Sequence, residues 1–166
     1  MSELWHYRQL LKQGTWQTDP QHLPTEVADW LLDTASLTQK LQQICQQLTV
    51  QVTAEMWQTD DNSLLSCSSF SNVWVREVCL YCDNHPCIFA QTILPEETIE
   101  HVAQEVLTLG DTPIGLWLFP QNPTRLSLEW TQDHTTGLYA RRSLLSLHGY
   151  PLVIYELFLP DFPFAS

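Results

Sequence analysis

Two charged residues, Arg76 and Glu156, occupy strand faces that are otherwise apolar. In segments 73–81 and 152–159 hydrophobic side chains recur at every second position, and each charge falls in that row. The apolar members of the two rows are Trp74, Val78, Leu80, Leu152, Ile154 and Phe158. An unpaired buried charge is costly, so two hypotheses follow. Either Arg76 and Glu156 pair with each other in the core, or both face a pocket. In a pocket, Arg76 would bind a carboxylate and Glu156 would accept a hydrogen bond from a hydroxyl.

Three further charges within predicted strands give weaker signals. Glu77 lies on the opposite face of its strand, between Val75 and Cys79, so apolar neighbours alone do not single out a site. Arg141 and Arg142 are adjacent and must point to opposite faces of their strand. We expect one of them to be solvated and the other to point inward. A solvated strand edge with surface ion pairs is the alternative for both.

Four potential metal ligands lie close together in the sequence: Cys79, Cys82, His85 and Cys87. Zinc needs four ligands that converge as a tetrahedron, but Cys79 and Cys82 would point to opposite faces of a continuing strand. We therefore predict buried thiols and a turn histidine instead of a metal site. The five cysteines of the chain form an odd, scattered set, which is not typical of a secreted disulfide framework.

Other catalytic motifs are missing from the sequence. It contains no Gly-rich phosphate-binding loop, no GxSxG motif and no HExxH motif, and it has only five glycines. His101 and Glu105 have a spacing that metal sites use, but on a predicted amphipathic helix a solvated face is the simpler interpretation. The sequence therefore predicts neither a metal nor a nucleotide cofactor.

Two antiparallel hairpins are predicted to position Arg76 and Glu156. In the first hairpin, strands 73–82 and 87–94 are joined by a turn at 83–86. In the second, strands 138–147 and 151–159 are joined by a turn at 148–149. Thr25 is expected to cap one helix, Ser36 a second, and Pro95 to begin a third that ends at Gly110. Further elements are a strand at 48–56, a long polar loop at 58–72, a turn or helix start at 112–115 and a strand at 127–131. Residues 1–23 are ambiguous.

This order of elements, helices followed by hairpin-connected strands, predicts an α+β fold with an antiparallel sheet in a single domain, residues 1–166. The chain has 19 Asp and Glu against 7 Lys and Arg, a formal net charge of -12. Such a charge argues against binding to nucleic acid or to an anionic membrane. No apolar run is long enough for a transmembrane helix, and the N-terminus lacks the pattern of a signal peptide. The expected location is the cytoplasm.

Four separated motifs around these residues resemble the chorismate lyase (chorismate pyruvate-lyase) family. They are Trp74-Val-Arg-Glu-Val with Pro86 closing the hairpin, Leu109-Gly-Asp-Thr-Pro-Ile-Gly-x-x-Leu-Phe119, Gly137-Leu-Tyr-Ala-Arg-Arg-Ser143 and Gly149-x-Pro-Leu-x-x-x-Glu-Leu-Phe-Leu-Pro160. Their order and spacing match from Trp74 to the C-terminus. The helical segment around Asp29-Trp-Leu-Leu-Asp33 and Ser36-Leu-Thr38 resembles the N-terminal part of the family more weakly.

The resemblance implies about six antiparallel strands with helices that form flaps over an enclosed ligand site. It implies conversion of chorismate to 4-hydroxybenzoate and pyruvate, the first committed step of ubiquinone biosynthesis, by a cofactor-independent, monomeric, cytoplasmic lyase. It assigns the ring carboxylate of the ligand to Arg76 and to the main-chain N–H groups of Leu37 and Ile114. It assigns the ring hydroxyl to Glu156.

Two positions depart from the family pattern. Leu37 replaces the usual Met, a mild change if the contact is made through the backbone. Gln91 replaces the usual Arg, at a position that could serve the second, enolpyruvyl carboxylate, so Arg125, Arg141 or Arg142 would have to supply the missing charge. A non-catalytic aromatic-acid-binding domain of the same fold is therefore an alternative function. A protein without a ligand, whose two charges pair structurally, is a third.

Overall fold

The computed structural model describes residues 2–59, 65 and 72–165. Its centre is a six-stranded antiparallel sheet with the strand order β1-β2-β3-β6-β5-β4. The strands are β1 Leu48–Thr59, β2 Asn72–Cys82, β3 His85–Pro95, β4 Thr124–Gln132, β5 Tyr139–Leu147 and β6 Tyr150–Phe158. The predicted α+β class with about six antiparallel strands is confirmed. The predicted loop at 58–72 lies mostly outside the described residues.

Helices cover both faces of this sheet. They are α1 Ser2–Gln13, α2 Thr25–Leu31, α3 Leu37–Ile44, α4 Glu96–Val102 and α5 Ile114–Leu118, with 3₁₀ segments at Gln104–Thr108 and Phe119–Gln121. Helix α1 occupies part of the segment that the sequence left ambiguous. Ser36 caps α3 as predicted, because its hydroxyl accepts a hydrogen bond from the Gln39 N–H at 3.3 Å. None of the helices in the described part of the chain is long and apolar enough to cross a membrane.

Two predicted helix boundaries are wrong. Thr25 is the first residue of α2 and not its cap; Pro24 precedes the helix, and its carbonyl accepts from the Ala28 N–H at 2.9 Å. The single helix predicted from Pro95 to Gly110 is broken at Ala103, whose backbone (φ -138°, ψ 29°) lies outside the helical region. The apolar spacing could not reveal this break, because Ile99 before it and Val106 after it are both buried.

Both predicted hairpins are present, each closed by two residues with positive φ. Asp83 and Asn84 (φ 51° and 71°) join β2 to β3, and His148 and Gly149 (φ 52° and 90°) join β5 to β6. Such residue pairs are typical of type I′ turns, whose twist matches that of the strands. The predicted four-residue turn at 83–86 was too long, since β3 already begins at His85.

The two faces of the sheet carry different cores. On one face α1 packs through Leu11 against a cluster that includes Val75, Phe89 and Val153. The other face carries two clusters, one beneath α2 and α3 and one beneath α4 and α5. Arg76 and Glu156 belong to the rows that run between these two clusters. The apolar covering of this face is therefore interrupted at the point where the sequence placed the charges.

The cysteines differ in part from prediction. Cys45, at the end of α3, forms a disulfide with Cys82, at the end of β2, so Cys82 is not the free thiol that we predicted. Their pairing follows from the packing of α3 against this end of the sheet, which sequence spacing does not show. Cys79 and Cys87 are free and buried, as predicted. Cys67 lies outside the described residues.

Candidate functional site

A small cavity lies between the sheet and the first turns of α3 and α5. Its lining residues are Leu37, Thr38, Arg76, Val78, Leu80, Ala90, Thr92, Pro113, Ile114, Gly115, Phe119, Ile154 and Glu156. The cavity measures about 40 Å³, which is room for a few water molecules and far below the roughly 300 Å³ of a small ligand pocket. An aromatic acid can therefore enter only if the covering helices or their side chains move.

Arg76 is buried in this wall, and one of its terminal nitrogens is held by the backbone. Its Nη2 donates to the carbonyls of Gly110 at 2.9 Å and of Thr112 at 2.8 Å, which lie in the segment that leads into α5. Only 2% of the residue is exposed. Burial lowers the pKa of the guanidinium from its ordinary value, while the carboxylates of Glu55 and Asp111 oppose that shift. Arg76 therefore presents a desolvated cation in a fixed orientation.

One nitrogen of this guanidinium has no hydrogen bond among the described residues. Arg76 Nη1 is buried and unbonded among the described residues, and so is Oε2 of Glu55, although these two atoms are only 3.5 Å apart. Buried donors without partners are uncommon and costly. The cavity wall thus offers an incompletely paired cation to any carboxylate that reaches it.

Glu156 lines the same cavity but does not pair with Arg76. Arg141, directly opposite on β5, donates from Nε to Glu156 Oε1 at 2.7 Å. The hypothesis of an Arg76–Glu156 core pair is therefore wrong, and both residues face a pocket. Arg76 lies opposite Thr92 on β3, which in turn lies opposite Ile154 on β6. With strands about 4.8 Å apart, roughly 10 Å separates the two strands that carry the charges.

Arg141 and Arg125 were not identified from the sequence as parts of one cluster. Arg141 is the inward-pointing member of its pair, whereas Arg142, on the other face, pairs with Glu129 at 2.8 Å. The sequence did contain a signal: a two-residue turn at 148–149 sets Arg141 opposite Glu156. Burial lowers the pKa of Arg125, and neighbouring Arg141 lowers it further while Glu156 opposes the shift. Arg125 hydrogen-bonds Ser143 and the Thr34 carbonyl.

Helices α3 and α5, which we call the lid, cover the cavity with their first turns. The two helices are close-packed where these turns meet. Leu37 and Ile114 are the first residues of α3 and α5, where N–H groups have no acceptor within the helix. A Cβ added to Gly115 would lie 2.7 Å from the Thr38 hydroxyl oxygen. Only glycine at position 115 lets the two helix starts approach this closely.

Gln91 is the one predicted site residue that the structure does not bring to the cavity. It lies on the opposite face of the sheet, where its Nε2 donates to Oε2 of buried Glu77 at 2.9 Å. Glu77 also accepts from Arg8, with a shortest distance of 2.7 Å, and from Thr53 at 2.8 Å. Burial alone would raise the pKa of Glu77, but the hydrogen bonds from Arg8, Gln91 and Thr53 outweigh it and lower the pKa. The charge that Gln91 lacks is thus supplied to Glu77 by Arg8.

No group of three or more His, Cys, Asp or Glu residues within the described ranges is arranged to hold a metal ion. The side chains of His101 and Glu105, which have a spacing that metal sites use, bond to different partners. His101 Nδ1 lies 2.9 Å from the Glu97 carbonyl oxygen, and the His101 ring stacks on Tyr150. Glu105 accepts instead from the Trp117 indole at 3.0 Å.

Comparison with known proteins identifies relatives over most of the chain. The family model described as chorismate lyase matches residues 10–164. A chorismate pyruvate-lyase from Pectobacterium atrosepticum is 38% identical over 164 residues, covering 93% of this chain and 89% of the relative. A probable chorismate pyruvate-lyase from Pasteurella multocida is 38% identical over 160 residues, covering 93% of each chain.

Solved structures share the fold at much lower identity. A GntR-family transcriptional regulator from Bacillus cereus has a TM-score of 0.51 at 16% identity, covering 69% of this chain and 92% of the regulator. PhnF from Mycobacterium smegmatis has a TM-score of 0.54 at 13% identity, covering 97% of this chain and 80% of PhnF. These likenesses concern the fold alone.

Proposed function

Because the chain belongs to the chorismate lyase family, we propose that it removes pyruvate from chorismate and releases 4-hydroxybenzoate. The reaction breaks the ether C–O bond between the ring and the enolpyruvyl group. The ring loses its C4 hydrogen as a proton and becomes aromatic, and the released enolpyruvate takes up a proton and becomes pyruvate. The observation that carries the proposal is Arg76, a buried cation with an unbonded nitrogen in the wall of a small cavity beneath α3 and α5. An enzyme for an aromatic carboxylate needs such a group.

The proposed roles follow the two ends of the cavity. Arg76 binds the ring carboxylate, together with the main-chain N–H groups of Leu37 and Ile114, and Glu156 accepts a hydrogen bond from the ring hydroxyl. The spacing of the two charged side chains across three strands suits a ring substituted at opposite ends. Gln91 has no part in this proposal, because its side chain is bonded to Glu77 on the other face.

Catalysis by this site consists of orientation and exclusion of water. Aromatisation supplies the driving force, so we propose that the lyase needs no metal or redox cofactor. The enclosed site holds the ether and the C4 hydrogen in a reactive geometry. The acid excess of the chain supports small-molecule partners over nucleic acid or membrane. We further propose a cytoplasmic monomer that supplies ubiquinone biosynthesis.

The test is incubation with chorismate while the ultraviolet absorbance of 4-hydroxybenzoate is followed. Arg76→Ala should lower kcat/KM by about 100-fold, because a charge-assisted hydrogen bond in a dry site is lost. Arg142→Ala is the matched control: it also removes an arginine from the sheet, but from the face away from the cavity, and should stay within about threefold of the parent. Parent-like kcat/KM in Arg76→Ala would refute the anchoring role. Tight binding of 4-hydroxybenzoate with no product from chorismate would favour the non-catalytic binding domain.

A further inference from the structure

Arg141 is held at three points behind the cavity wall, one of them the cavity-lining Glu156. Its Nε donates to Glu156 Oε1 at 2.7 Å, and its Nη1 donates to the carbonyls of Trp30 at 3.0 Å and Asp33 at 2.9 Å. Only 2% of the residue is exposed. Because the planar guanidinium has a fixed donor geometry, the two carbonyls determine the direction in which Nε points. The position of Glu156 is therefore set by Arg141.

The carbonyls that hold Arg141 lie in the segment that leads into α3, one of the two helices of the lid. Trp30 lies in α2 and Asp33 in the short connection to α3, whose first residues line the cavity. Arg125 donates to the Thr34 carbonyl in the same connection. Arg141 thus joins the lid to the carboxylate that faces the ligand.

Glu156 is close to two arginines, of which Arg141 holds it by a hydrogen bond while Arg125 acts through its charge alone. Within the described part of the chain, Arg141 alone donates a hydrogen bond to the Glu156 carboxylate. The Glu156 side chain is 13% exposed, so little water can replace a lost donor. Without the hydrogen bond from Arg141 the Glu156 carboxylate could rotate, and its orientation toward the cavity would no longer be fixed.

We propose that Arg141 is the positioning residue of the site: it fixes the Glu156 carboxylate for the ring hydroxyl of the ligand and ties that orientation to the lid. The inference rests on the proposed function, which assigns the ring hydroxyl to Glu156. It differs from a general structural role because it predicts a selective loss. Recognition of the hydroxyl should fail while recognition of the carboxylate by Arg76 survives.

The experiment compares dissociation constants for 4-hydroxybenzoate and for benzoate, which lacks the hydroxyl. The parent should bind 4-hydroxybenzoate at least about tenfold more tightly, as expected for a hydrogen bond to a charged group. Arg141→Gln should reduce this preference to about threefold or less while changing the Kd for benzoate little. Kinetically, kcat should fall more than KM rises. Arg142→Gln, one residue along the same strand, should retain the parental preference.

Two further variants separate the possible failures. Arg141→Lys keeps the charge and supports folding but lacks the fork of donors, so it should also lose the preference. If either Arg141 variant weakens both ligands equally, the residue is merely structural and the proposal is overturned. If Glu156→Ala abolishes the preference and the Arg141 variants retain it, the positioning role alone is wrong. If Glu156→Ala retains the preference, the proposed role of Glu156 fails, and the role of Arg141 fails with it.

Discussion

Replacing Arg8 by Met should destabilise the fold without impairing the proposed reaction. Arg8 donates from Nε and Nη2 to both oxygens of Glu77, at 2.7 to 3.2 Å. Glu77 is buried on the face away from the cavity. Met preserves the aliphatic packing of the arginine stem but removes its charge. The carboxylate keeps its bonds from Thr53 and Gln91 but is left as a buried anion without a cation.

The size of the effect follows from the burial of the two partners. Removing one partner of a fully buried ion pair costs about 3–5 kcal/mol. Here 41% of the Arg8 side chain is exposed against 3% for Glu77, so solvent already screens part of the attraction. We expect about 2 kcal/mol, which lowers Tm by about 4–8 °C for a domain of this size.

The loss should depend on pH in a definite direction. The folded-state pKa of Glu77 is lowered, because hydrogen bonds from Arg8, Gln91 and Thr53 outweigh desolvation. The stability that Glu77 contributes is therefore present above its unfolded pKa of about 4.3 and is lost as the pH falls through the folded value. Arg8→Met should thus differ most from the parent near neutral pH, and the difference should shrink in acid.

Chemical and thermal denaturation at pH 7 and pH 4 measure both quantities. A second replacement, Gln91→Arg, tests the compensation: in the Arg8→Met background it should restore about half of the lost stability or more. Gln91→Arg alone should leave kcat/KM for chorismate within about threefold, because position 91 does not face the cavity. A Tm loss that is the same at both pH values would refute the electrostatic explanation.

Three other changes test the lid and the cation. Cys45→Ser removes a disulfide that spans 37 residues and should cost about 4 kcal/mol by loop entropy; reductant should lower the Tm of the parent but not of the variant. Glu55→Gln removes the carboxylate beside Arg76 and should tighten 4-hydroxybenzoate binding about threefold to tenfold by calorimetry; weaker binding would contradict this. Gly115→Ala should weaken the same binding, since its Cβ would meet the Thr38 hydroxyl at 2.7 Å, and adding Thr38→Ala should restore it.

Side-chain parity was sufficient to find the two charges that line the cavity. Alternation along a strand fixes the face of each residue, and the turn at 148–149 was short enough to be identified from its sequence. Parity alone does not show which residue lies opposite Glu156 on the next strand. Identifying Arg141 as its partner also requires counting back from the two-residue turn.

The position of Gln91 shows why register could not be predicted. A four-residue turn at 83–86 would set Gln91 opposite Val78, on the cavity face. The observed turn has two residues, and the register shifts between Leu80 and Tyr81, so Gln91 lies opposite Glu77. A change of one residue in register moves a side chain to the other face of a sheet. Neither the turn length nor the bulge is determined by hydrophobic alternation.

The charge balance of the whole chain is a poor guide to what its cavity binds. The net charge is -12, yet the buried Arg76 lines the cavity, and Arg141 and Arg125 lie close to Glu156 in the same wall. Surface carboxylates repel an anionic ligand only weakly, because salt screens charges beyond about 10 Å. A desolvated guanidinium attracts a carboxylate much more strongly than an exposed one does. Burial of a few cations therefore outweighs an excess of exposed acids, and an acidic protein can offer a site for an anion.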